Sequence, residues 1–293
     1  MVKSIIVYLF FGSVFFILLN CNRPMNRMFR NEPELISDQF DFTEGPAADS
    51  DGNIYFTDQP NNSIWKYGVD NKLSIFMEPA GRANGMYFSK NGNLIVCAEE
   101  NNELWSIAKD GSVQVLVKDV GERKLNAPND VWVHPNGNIY FTDPHYPRDF
   151  EDKNAARVEG EHVYLFHPKS GNPKAVITDL VKPNGIVGTA DGKKLYVADI
   201  DGKKIFSYSF DKEGKPVNKK LFVDQGSDGM TIDKQGNVYL TGANGVSVFD
   251  ENGNPLGEIR IPKKWTANVC FGGRNHDRLF ITASNALYVV DMK

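Results

Sequence analysis

Cysteine is scarce in this sequence: Cys21, Cys97 and Cys270 are the only three among 293 residues, which excludes a disulfide framework. Cys97 and Cys270 sit in apolar, strand-like runs and read as small buried hydrophobes. Charge of one sign is lacking too. The net charge is −4 with no long single-sign run, which argues against a nucleic-acid partner and against a basic membrane patch. No segment sustains a 3.6-residue apolar period, so a helical domain is excluded. No Gly-x-Ser-x-Gly elbow occurs, which argues against an acyl-serine route. What is present is enough apolar residue (41%, with 12% aromatic) to build a sizeable core.

One long apolar run exists, Ile5 to Leu19, preceded by Lys3. Its length suits a signal-peptide core and is short for a spanning helix. It ends in Leu18-Leu19-Asn20-Cys21, which resembles a bacterial lipoprotein cleavage box. The expectation is a signal peptide over 1–21, a tether over 22–32 and a globular domain over 33–293. The globular part would then be exported, periplasmic or outer-membrane-associated, and touch the membrane only through an N-terminal lipid or anchor. A plain membrane anchor is the alternative.

A repeat decides the fold. A Gly turn followed by a short β-run appears at Asp51–Asp58, Asn91–Ala98, Asn136–Asp143, Asp191–Asp199 and Gln235–Gly242, with a worn copy at His276–Ala283. The turn glycines lie 40, 45, 55 and 44 residues apart. Such a period, with several short strands per unit, predicts propeller blades. The predicted fold is all-β, a six-bladed β-propeller with four antiparallel strands per blade. The last unit runs out after three strands, so Glu34 to Ile36 is predicted to supply its outer strand. A β-sandwich is the runner-up.

Eight residues before each turn stand Glu44, Asn84, Asn129, Asn184, Asp228 and Asn268. One such residue alone would read as a turn residue bonding local backbone. At one offset in a rotational repeat, six form a ring at one end of the channel. These hard oxygens, two of them carboxylates, predict one divalent metal. Ca²⁺ suits them best, and Mg²⁺, Mn²⁺ or Zn²⁺ are the alternatives, although no ring position holds the His or Cys of a dedicated zinc site.

The phrases Glu44-Gly45-Pro46, Pro128-Asn129-Asp130, Phe141-Thr142-Asp143-Pro144, Pro183-Asn184-Gly185 and Ser227-Asp228-Gly229-Met230 resemble the gluconolactonase and senescence-marker-protein (regucalcin-like) family, in order, from about Phe42 to Asp291. The resemblance implies a six-bladed propeller with a channel Ca²⁺ that hydrolyses lactones. It matches Glu44, Asn184 and Asp228 to metal ligands, and Asn129 to an amide at the metal or the substrate. Related propellers with similar ligands hydrolyse phosphofluoridate esters. Some sugar-lactone members carry Arg where Ala127 stands here.

The expected chemistry is metal-assisted attack of water on a lactone carbonyl, with Asp228 as first candidate base and Asp130 as second. Asp130 is equally suited to satisfying backbone groups beside the ring. Loops after the second strands, where Asp58, Glu99, Asp143 and Asp199 return, should overhang the metal. The longest, Pro144 to Gly160, reads as a lid or pocket wall, with His145 and Tyr146 as substrate contacts. Asn84 and Asn129 are further candidates for substrate binding. Arg82 either contacts substrate or bridges two blades. A metal-dependent phosphotriesterase, and a non-catalytic binding module with a structural calcium, are the other functions this sequence admits.

Overall fold

The computed structural model describes residues 28–169 and 171–293. The expectations for Cys21 and the N-terminal signal fall outside them.

Six four-stranded antiparallel sheets follow one another along the chain. Their inner strands are Thr43–Ala48, Ala83–Phe88, Val131–Val133, Pro183–Gly188, Met230–Ile232 and Asn268–Gly272, for blades 1 to 6. Blade 1 continues outward through Ile54–Asp58, Ser63–Tyr67 and Leu73–Met77, and the other blades repeat this order. The second strands are covered on both faces by neighbouring blades. They therefore open on apolar runs, and Ile54–Asp58, Leu94–Ala98, Ile139–Asp143 and Leu195–Asp199 are buried throughout. Outer strands such as Val113–Val117 are largely exposed.

The interblade layers are aromatic. Trp132 of blade 3 stacks on Phe210 of blade 4 at 6.1 Å and 18°. Tyr55 of blade 1 meets Phe88 of blade 2 edge-on at 5.1 Å. Burying each such ring contributes about 1.5–3 kcal/mol.

The ring closes as predicted. Glu34–Ser37 pairs antiparallel with Ala286–Asp291, Glu34 facing Val289 and Leu35 facing Tyr288. Blade 6 thus takes its fourth strand from near the start of the chain. The Pro144–Gly160 insertion is bound to its neighbours rather than free. Lys124 and Arg157 form a parallel bridge, and Arg157 donates to the carbonyls of Leu125 and Asn126.

Candidate active site

Three of the ring side chains sit at irregularities of their inner strands. In blades 1, 2 and 4 the register shifts between Glu44 and Ala47, Ala83 and Met86, and Pro183 and Ile186. These bulges turn the ring residue toward the axis, a common device beside functional sites. Gly45 makes the bulge possible: its φ is +45°, and a Cβ there would lie 2.0 Å from the Asn84 carbonyl oxygen. Gly185 similarly lets blade 4 approach the Asp228 carbonyl of blade 5.

Three aspartates fix the loops that lead in. Asp58 accepts hydrogen bonds from the amides of Asp41 and Phe42, Asp143 from Asn126 and Ala127, and Asp199 from Val181 and Lys182. In each case the amides lie three and two residues before the ring residue. Blade 2 has Ala98 at this place, and Asn62 of blade 1 accepts from Ala80 and Arg82 instead.

Glu44, Asn84, Asn129, Asn184 and Asp228 share one cavity of about 420 Å³ with Phe42, Gln59, Pro60, Tyr146, Arg148, Ile200 and Trp265. All five ring members are buried or nearly so. The Gly45 amide donates to Glu44 Oε2 at 2.9 Å, and Trp265 Nε1 donates to Asp228 Oδ2 at 2.6 Å. Asn184 Nδ2 donates to the Tyr146 hydroxyl at 2.9 Å, which leaves the phenolic proton free. Burial, and then the Asp228 charge, pushes the Glu44 carboxyl well above its usual range. Burial pushes Asp228 up to about 6, against the hydrogen bonds of Trp265 and Asn184.

Neither carboxylate meets a Lys or Arg among the described residues. Two like charges, desolvated together and ringed by amides, are the donor set that a hard divalent cation satisfies. The residues fit such an ion. No cluster of three or more His, Cys, Asp or Glu occurs among the described residues, because amides make up the rest of this set.

Other predicted residues lie elsewhere. Asn268 belongs to an unbulged strand and lines a second cavity, of about 250 Å³, lower in the channel. Its Oδ1 accepts from the Val269 amide, while its own amide still supports Glu44. Asp130 lines that lower cavity too, with one oxygen accepting from the Val131 amide at 2.9 Å and the other from Ile186 at 3.1 Å. Burial raises it to about 7 against those two bonds. Arg82 bridges rather than faces the cavity. It donates to the Pro60 carbonyl, pairs with Glu100 at 3.6 Å and covers the Phe150 ring. His145 is 40% exposed and bonds Glu151 at 3.0 Å. Tyr146, its neighbour, is the residue of that pair that reaches the cavity.

A family model described as SMP-30/Gluconolactonase/LRE-like region matches residues 42–285. The chain belongs to this family. The gluconolactonase of Zymomonas mobilis is 30% identical over 290 residues, covering 89% of this chain and 81% of that protein. The solved structure of a Xanthomonas campestris gluconolactonase superposes with a TM-score of 0.83 at 24% identity, covering 89% of both chains. The diisopropyl-fluorophosphatase of Loligo vulgaris is 29% identical over 174 residues, 53% of each chain.

Several walls of this SMP-30/gluconolactonase site were not singled out from the sequence. Gln59 and Ile200 each follow a clamping aspartate, so both stand one step past the second strand. That offset is a signal the repeat could have supplied. Trp265, three residues before Asn268, reaches Asp228 of the preceding blade, and no local pattern announces that contact.

Proposed function

We propose that this cavity hydrolyses a lactone with the help of one divalent cation, Ca²⁺, held by Glu44, Asn129, Asn184 and Asp228. The observation that carries the reading is the pair of buried, unpaired carboxylates among amides at a cavity of about 420 Å³. The family and the Zymomonas mobilis relative support lactones as the substrate class. When bound, the cation supplies a Lewis acid that polarises the ester carbonyl.

The chain's own residues do the rest. Trp265 holds Asp228 by Oδ2 at the cavity wall, and burial raises its carboxyl to about 6. That carboxylate takes a proton from the water attacking the carbonyl carbon. The ring C–O bond then breaks, the proton passes to the departing oxygen, and a hydroxy acid leaves. Tyr146 stays protonated, because burial pushes its phenol well up, and it presents a hydrogen-bond donor to the substrate. Phe42, Ile200 and Trp265 limit access of bulk water.

The test is proton release from a panel of γ- and δ-lactones by chelator-stripped protein, with and without Ca²⁺. Turnover that needs the metal supports the reading. Folded protein that binds Ca²⁺ without turning over any lactone overturns it. The likeness to diisopropyl-fluorophosphatase favours a second reading, a phosphotriesterase, so the panel includes a phosphofluoridate ester. Turnover of neither class leaves a binding module. Export is also proposed, with lipid on Cys21. Mass spectrometry of membrane-extracted protein tests the lipid, which an unprocessed N-terminus overturns, and protein confined to the cytoplasmic fraction overturns export.

A further inference from the structure

Glu99 plays no part in the mechanism above, yet it is an ionisable group only 2% exposed. It opens the short 3-10 turn Glu99–Asn101. Its Oε1 accepts from Arg148 Nε at 2.5 Å, and its Oε2 accepts from Gln59 Nε2. Burial raises its pKa, while Arg148 and the Asn84 amide favour the ionised form. Gln59, Asn84 and Arg148 come from three different elements, and all three line the cavity.

We propose that Glu99 is a positioning residue: it sets Gln59, Asn84 and Arg148 as one hydrogen-bonding wall that selects lactones bearing several hydroxyl groups over plain alkyl lactones. The inference rests on the lactone reading above. Arg148 is placed from below as well. Glu151 accepts from the Arg148 amide at 3.4 Å, and pairs with Arg157 and His145 at 3.0 Å each. With Nε spent on Glu99, the two terminal nitrogens of Arg148 find no acceptor among the described residues. The two amides keep polar atoms of both kinds for a ligand.

A hydroxyl donates and accepts at once, and this wall offers both. An anion would want donors only and a net positive charge. The Arg148 charge is already matched by Glu99, so the wall is neutral and suits a polyol. The blades across the channel supply Ile200 and Trp265, an apolar face for the carbon skeleton. A site built to bond hydroxyls discriminates against substrates that lack them, because its polar groups are then left unpaired.

The experiment compares wild type, Glu99→Gln and Arg148→Lys on glucono-δ-lactone and δ-valerolactone at saturating Ca²⁺. Glutamine keeps the shape of Glu99 but has one acceptor oxygen, so Gln59 or Arg148 loses its partner. Expected for glucono-δ-lactone is a KM about tenfold higher in both variants with kcat within about threefold. For δ-valerolactone, both parameters stay within about twofold, or wild type already fails to turn it over. Equal losses on both substrates, or no change on the hydroxylated one, overturn the inference. Should Glu99→Gln fail to fold by circular dichroism, Arg148→Lys, with a partly exposed side chain, decides alone. Should wild type hydrolyse neither lactone, the lactonase reading falls, and calorimetric binding of gluconate to the Ca²⁺-loaded protein decides this one. Binding that weakens in the variants upholds Glu99, and binding that is absent or unaltered overturns it.

Discussion

Asp228 and Asp130 differ in what their oxygens touch, and we expect that difference to separate chemistry from architecture. Asp228 has one oxygen on an indole N–H and faces the cavity. Asp228→Asn keeps the shape and removes the charge and the base. We expect kcat to fall roughly 10²–10⁴-fold with an unchanged circular dichroism spectrum. Retained activity would sink the assignment. Asp130 has both oxygens on backbone amides, one in its own blade and one in the next. Asp130→Asn sets an N–H against an N–H, so it should cost about 1–3 kcal/mol of stability in denaturant melts. Its kcat should stay within about threefold, and a collapse of kcat at full stability would instead make Asp130 a catalytic group.

At the scale of strands and loops, bulges carry three of the five ring residues that line the cavity. Gly45→Ala forces a side chain onto the Asn84 carbonyl and into a left-handed backbone, a combined cost of about 2–4 kcal/mol. Melting should drop accordingly, and metal affinity should fall with it because Glu44 moves. An unshifted melting temperature contradicts the packing argument. These elements also show what the sequence could reveal. The blades were legible because turn chemistry and strand alternation recur locally, and the strap at Glu34 because an open edge needs a partner. Ring membership was legible through a fixed offset. The direction of each ring side chain was not: Asn268 and Asn184 share the offset, but Asn184 lines the upper cavity and Asn268 the lower one. Arg82 and Trp265 act across blade boundaries, and such contacts leave no trace in the spacing of one blade.

The molecule as a whole holds an excess of buried negative charge around its axis. Burial raises Glu44, Asp228 (to about 6), Asp130 and Asp143 (each to about 7). The folded, metal-free chain therefore binds more protons than the unfolded chain between about pH 4 and pH 7. The stability these four groups contribute is fully present below that window and is lost as pH rises through it. Thermal melts in chelator should show a lower midpoint at pH 8 than at pH 5. Added Ca²⁺ should flatten that slope by favouring ionised Glu44 and Asp228. A midpoint that climbs with pH in chelator would contradict the buried-charge account.

The strap that closes the ring sets a timetable as well as an edge. Glu34–Ser37 can find its partner only after the chain has been extended by about 250 residues, to Ala286–Asp291. Five blades can stack as they emerge during synthesis, but the circle stays open until its last segment arrives. A contact of such long range makes ring closure a late step. The growing chain keeps its leading end unengaged for most of its synthesis, the condition under which a polypeptide can still be threaded through a narrow pore.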